Sequence, residues 1–164
     1  MTDHDDRASG DFLTRLGPAL AGGRATLQAF YDSLDQSDAA GRLIVAHYLA
    51  DAQDSLEDEV RWDELALDLA PQVTDADLHA LHPSLNIAGF VPSLQLNLAD
   101  GYRRMQRFAD ASTALSASRA GNDRLPSESP EQQAYRQLIL DGQQRVADLI
   151  DARDSVSTGL PDTR

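Results

Sequence analysis

Apolar positions along this chain recur at helical spacing in nearly every segment where they recur at all. Leu27, Phe30, Tyr31 and Leu34 fall at i, i+3, i+4 and i+7, which predicts a helix from about Gly23 to Leu34. Before it, Phe12, Leu13 and Leu16 make one helical turn that ends at Gly17-Pro18. Asp38 is placed to cap a second long helix reaching about Gln53, carrying Leu43, Ile44, Val45, Ala46, Tyr48 and Leu49. Its β-branched residues would suit a strand, but the run lies inside a longer Ala-rich segment, and length decides for a buried helix. A third helix follows Asp54-Ser55 and stops at Pro71. Leu56, Val60 and Leu67 lie on one side of it, Trp62, Leu65 and Leu69 on the other, so it is expected to pack between neighbours.

Beyond Pro71 the pattern weakens. Thr74 with Asp77 has the spacing of a capping pair for a short helix that ends before Pro83, and residues 84–91 fit either a helix or an extended segment. A fourth helix is expected to start near Pro92 and run to about Gln106, and a fifth to span about Phe108 to Ala120. A polar loop leads to Ser129-Pro130, where Gln132 completes a capping pattern for a last helix reaching about Arg153. Its apolar stripe is Tyr135, Leu138, Ile139, Val146, Leu149 and Ile150. Residues 1–10 are expected to be disordered and residues 155–164 a loose tail, with a single helical domain over 11–154.

Composition sharpens this all-helical reading. Hydrophobic residues make up 41% of the 164, but aromatic residues only 5%, so Ala and Leu must fill the core. Both are strong helix formers, and small side chains let helices approach closely. The net charge of −13 speaks against a nucleic-acid partner, which needs a basic face, and against binding to an anionic membrane. The acids are interspersed with arginine rather than run in blocks, so solubility explains them better than mimicry of nucleic acid. Every basic residue apart from histidine is arginine, a bias typical of GC-rich bacterial genomes. With no cysteine, disulfides and thiolate chemistry drop out. No stretch approaches the roughly 20 apolar residues of a membrane span. The polar start lacks the apolar core of a signal peptide, so a cytoplasmic location is expected.

The chain also repeats itself. Tyr48-Leu49-Ala50-Asp51 lines up with Asn97-Leu98-Ala99-Asp100, each copy followed by a turn and a second helix. The second copy resembles a tetratricopeptide repeat. Leu98, Ala99, Tyr102, Ala111 and Leu115 occupy the places of that pattern's Leu, small residue, Tyr, Ala and large apolar residue. Gln106 stands where Gly is usual and Ser118 where Ala is usual. In the first copy Ala66, Leu67 and Pro71 match the end of a repeat, with an inter-helix turn about three residues shorter. The chain is similar in this respect to the tetratricopeptide-like proteins of high-GC actinobacteria, a group usually without a known activity. The resemblance, over roughly residues 38–120, implies antiparallel helical hairpins stacked as a short right-handed superhelix with a concave binding groove.

In that family the first helix of each repeat lines the groove. Carried over, this places His47, Tyr48 and Asp51 on the groove from the first copy, and Ser93, Leu96, Asn97, Asp100, Arg103 and Arg104 from the second. Asn97 falls where some family members hold a peptide carboxylate, and the two arginines offer forked donors for the same purpose. Asp51 and Asp100 would repel an acidic ligand, so a zwitterionic or sequence-specific peptide suits the mixed charge; the competing view is that the arginines form solvated pairs with nearby acids. Elsewhere, His79 and His82 are three apart and His47 and Asp51 four apart, spacings that share a helix face, yet nothing matches a zinc motif. Glu57, Asp58 and Glu59 lie where acids stabilise a helix start, and neither a nucleophile elbow nor a phosphate loop is present. The leading expectation is therefore a non-enzymatic module that binds a protein or peptide, needing no metal or cofactor. A small metal-binding protein or enzyme using His47, Asp51, His79 and His82, and a homodimer formed through the last helix's apolar stripe, are the alternatives.

Overall fold

The computed structural model describes residues 5–157, and every regular element in them is helical. The helices are α1 (Asp5–Ala21), α2 (Arg24–Ser33), α3 (Ala39–Asp51), α4 (Leu56–Leu69), α5 (Asp75–Leu81), α6 (Ile87–Arg104), α7 (Phe108–Ala120) and α8 (Pro130–Asp151), with short 3-10 turns at Ala70–Gln72 and Asn122–Arg124. No helix among the described residues is long and apolar enough to cross a membrane. The chain divides into two compact units between Ile87 and Ala88. The division follows the packing: each unit surrounds a buried helix of its own, α3 in the first and α6 in the second.

In the first unit, α3 is buried on nearly all sides. Leu43, Val45, Ala46 and Leu49 have no exposed surface, and α1, α2, α4 and α5 all pack against the helix. Asp38 caps it by accepting a hydrogen bond from the Gly41 N–H at 2.8 Å. On α4 the buried stripe is Val60, Asp63, Ala66 and Leu69, a narrower face than the two apolar sides expected for this helix.

α1 departs from expectation at both ends. It begins at Asp5, inside the segment expected to be disordered, and runs through Gly17-Pro18 to Ala21. Residues 1–4 of that expected segment lie outside the described residues. An interior proline costs a helix one hydrogen bond. Here the next turn still closes, with Gly22 N–H donating to Pro18 O at 2.9 Å. The burial of Phe12, Leu16 and Ala19, and the 5.5 Å approach of the Phe12 and Phe30 rings, favour the continuous helix.

α5 opens on the capping box expected from Thr74 and Asp77, and ends at His82. That residue precedes Pro83, whose ring disfavours helical backbone before it, and it is extended at φ −157° and ψ 129°.

In the second unit, α6 starts at Ile87, well ahead of Pro92, so part of the ambiguous segment 84–91 is helical and the proline is interior. The Ser118 hydroxyl of α7 donates to Pro92 O at 2.7 Å. Two glycines let the neighbours close on α6. A Cβ on Gly121 would lie 2.6 Å from Pro92 Cγ, and one on Gly142 of α8 would lie 2.8 Å from Leu96 Cδ2. α8 opens on the Ser129–Gln132 capping box with Pro130 in its first turn.

α6 and α7 are joined by a three-residue turn whose hydrogen bonds form a Schellman motif. Arg107 N–H reaches Tyr102 O at 2.8 Å and Gln106 N–H reaches Arg103 O at 2.9 Å. This geometry puts Gln106 in the left-handed region at φ 62°, which accounts for the glycine usual at that place in the resembling pattern. In the earlier hairpin, α3 ends at Asp51, whereas α6 continues past the aligned Asp100 to Arg104. The residues the first copy lacks are thus missing from the helix end rather than from the turn.

Two predictions follow from these ends. Gln106 is exposed, so Gln106→Gly removes only left-handed strain and is expected to raise stability by up to about 1 kcal/mol in urea unfolding. The Thr74 hydroxyl and, second, its backbone N–H bond to Asp77 and hold that carboxyl below its ordinary value. A depressed folded value contributes stability above the unfolded carboxyl range and loses it as pH falls through the folded value. The start of α5 is therefore expected to fray below about pH 4, seen as movement of the Thr74 amide resonance, and Asp77→Asn should abolish that transition.

Candidate functional site

In the first unit the expected groove residues separate by depth. His47 is buried, with Nδ1 3.9 Å from Asp63 Oδ1 across the α3–α4 contact, and both side chains are almost wholly enclosed. Tyr48 is half-buried, its ring centre 6.2 Å from that of His47. Asp51 is the last residue of α3 and is exposed. His79 lies exposed on α5. His82 is exposed at its end, its Nδ1 2.7 Å from Ser84 Oγ, so it works locally in the turn after the helix. Among the described residues no group of three or more His, Asp or Glu side chains gathers where it could hold a metal ion, and the set His47, Asp51, His79 and His82 is not brought together.

In the second unit most of the expected groove face is turned inward. Ser93, Leu96, Asn97, Asp100 and Arg103 are all buried, and only Arg104 is partly open. Ser93 lies in hydrogen-bond contact with the Tyr135 phenol of α8, which itself donates to Gly89 O; burial raises that phenol above its ordinary pKa. Leu96 faces α8 at Gly142. α6 is covered on these positions because it is the central helix of its unit, so an open face over all of them is not what the packing produces.

The polar centre of α6 is a carboxylate shared by two arginines. Asp100 Oδ1 accepts from Arg103 Nε at 3.0 Å and Nη2 at 2.6 Å, and Oδ2 accepts from Arg104 Nε at 2.9 Å. The i, i+3 and i+4 register brings the three side chains together on one helix face. Asp100, expected to repel an acidic ligand, thus neutralises arginines of its own helix. Arg103, with no exposed surface, sends its remaining nitrogen Nη1 to Asp154 O at 2.6 Å and Val156 O at 2.9 Å. Nη1 thus ties Asp154 and Val156, the second of them in the segment expected to be a loose tail, to the end of α6. Within that tail, residues 158–164 lie outside the described residues.

Sequence reasoning missed two buried polar groupings. Asp63 sits three residues from both Val60 and Ala66, a register that places a carboxylate on a buried stripe and was there to be read. The second joins α7, the following turn and α8. Gln143, buried at 2% exposure, donates to Ser118 Oγ at 2.9 Å and to Asn122 Oδ1 at 2.8 Å, and accepts from Asn122 Nδ2 at 2.9 Å. Ser118, placed where the repeat pattern has Ala, is thereby a hydrogen-bonding node. No local signal marks Gln143 as a core residue beyond its position between Ile139 and Val146 on the α8 stripe. Ile139 and Val146 are fully buried within the unit, while Leu138, Leu149 and Ile150 keep partial exposure.

No protein-family model, no curated protein and no solved structure matches the chain.

Removing one member of a buried polar pair is costly, whereas replacing both with apolar groups of similar volume is often neutral. Asp63→Leu alone is expected to lower stability by about 3 kcal/mol, and His47→Leu with Asp63→Leu to recover most of the loss. Denaturant unfolding of the two single variants and the double variant measures the coupling. Additive losses would show that the two side chains do not act as a pair.

Proposed function

We propose that the chain is a tetratricopeptide-like helical-hairpin module that binds a protein or peptide and does no chemistry of its own. The observation that carries this reading is the α6–α7 hairpin. Leu98, Ala99, Ala111 and Leu115 are buried, as the repeat pattern demands, and the turn takes the left-handed geometry for which that pattern uses glycine. Tyr102 is half-buried beneath the Arg107 guanidinium, 4.3 Å from its ring centre. Hairpins of this kind bury their faces by stacking and present the first helix of each pair to a ligand. The warrant is fold-level analogy joined to a sequence pattern.

Of the residues assigned to ligand contact, those with surface to offer are Tyr48 and Asp51 on α3 and Arg104 on α6. In the first unit an aromatic ring and a carboxylate suit a basic peptide segment, and in the second a guanidinium suits a carboxylate. They belong to the first helices of the two hairpins, the elements that carry ligands in the resembling family.

Affinity capture from native lysate, with wild type beside full-length Tyr48→Ala and Arg104→Ala chains of unchanged helicity, tests this. Wild type is expected to retain a protein or peptide partner whose recovery falls about tenfold in at least one variant, as for an interface anchor. Equal retention by all three would move the binding surface elsewhere. Capture of nothing by wild type would remove the reading.

A further inference from the structure

We infer that the C-terminal end of α6 is a receptor for peptide main chain, centred on Arg103, and that residues 154–156 of the same chain occupy it in cis. The guanidinium is oriented before the segment arrives, because Nε and Nη2 are both spent on Asp100 Oδ1. That leaves Nη1 aimed at two carbonyls spaced two residues apart, Asp154 O and Val156 O. Their spacing is set by a local turn in which Val156 N–H donates to Asp154 Oδ1 at 2.8 Å.

The segment is gripped through its main chain. Val156 is 67% exposed and fills no pocket, so the Arg103 contact places little demand on side-chain identity. It leaves α8 through Arg153, which closes a Schellman motif at a left-handed φ of 50°, a natural hinge for a residue that is not glycine. Lifting the segment would wet Arg103 but leave its charge paired with Asp100, so the open state does not strand a buried cation. Segments with few buried apolar contacts are the ones that open locally at low cost. A second peptide presenting two carbonyls in the same turn would then compete for Nη1, and occupancy in cis would lower its apparent affinity by the fraction of time the site is open. The inference rests on the reading of this chain as a peptide-binding module and adds a regulation to it.

The test uses full-length protein and, as probe, a fluorescein-labelled peptide of this chain's own residues 150–164. Asp154→Ala removes the turn that spaces the two carbonyls and leaves the buried Arg103 in place. The Asp154→Ala chain is expected to bind the probe about tenfold more tightly than wild type by anisotropy. Adding Arg103→Lys, which keeps the charge but loses the fork, should abolish that gain. In Arg103→Lys alone, hydrogen exchange at the Val156 amide should quicken about tenfold while α7 amides stay protected. No binding of the probe to Asp154→Ala, or binding no tighter than to wild type, would overturn the receptor. Unchanged Val156 exchange in a folded Arg103→Lys chain would overturn the latch. If the arginine variant fails to fold, the comparison of wild type with Asp154→Ala decides alone. Partner capture through Tyr48 or Arg104 is read separately, so this inference can fail while the binding-module reading stands.

Discussion

Close approach of helices is the constraint on which the rest of this structure depends. A chain with so few aromatic side chains cannot fill wide gaps between elements, so its helices must meet near backbone distance. In the second unit that is achieved with glycine and alanine: Gly121 against Pro92, Gly142 against Leu96, and Ala99 and Ala111 without exposed surface. In the first, α3 brings Ala46 and Ala50 into a core that also holds Ala66 among its larger Leu, Val and Phe side chains. Helices this close leave no room for water around a central element, and any polar side chain on such an element has to find its partner within the protein.

The buried polar groups follow from that requirement. Arg103 is tolerated at zero exposure because Asp100 stands one turn before it and two backbone carbonyls complete its hydrogen bonding. Gln143 is tolerated because Ser118 and Asn122 satisfy its amide, and Ser118 in turn donates to a carbonyl of the proline-containing helix. His47 and Asp63 face each other across α3 and α4. These polar contacts tie together elements distant in sequence. Beside these enclosed residues each unit keeps a partly open neighbour on the same helix, Tyr48 beside His47 in the first and Arg104 beside Arg103 in the second.

Helix identity and most helix ends were legible in the sequence because they rest on local physics. Asp38, Thr74 with Asp77, and Ser129 with Gln132 announced helix starts through side chains that satisfy backbone N–H groups a few residues away. The ends of α3 and α6 were read to within about two residues, at Gln53 and Gln106 where the helices stop at Asp51 and Arg104. The prolines misled: Pro18 and Pro92 read as boundaries, yet both lie inside helices, because packing of Leu16 and Ala19 in one case and of Leu94 and Leu96 in the other outweighs the local penalty.

By itself, then, the sequence determined an all-helical chain, its caps and the alternation of helix and turn, since each depends on residues within about one or two turns of each other. It also carried the carboxylate–arginine register of Asp100, Arg103 and Arg104, which any helix would bring together. Tertiary structure alone decided which face of each helix is covered. Residues that periodicity could equally assign to a groove, among them Ser93, Leu96 and Arg103, are enclosed because α8 and the segment after it come back onto α6. The division into two units was also settled there, because it depends on which distant helices share a core. Burial is a property of surfaces that meet across long stretches of chain, and a helical period states only that a face exists.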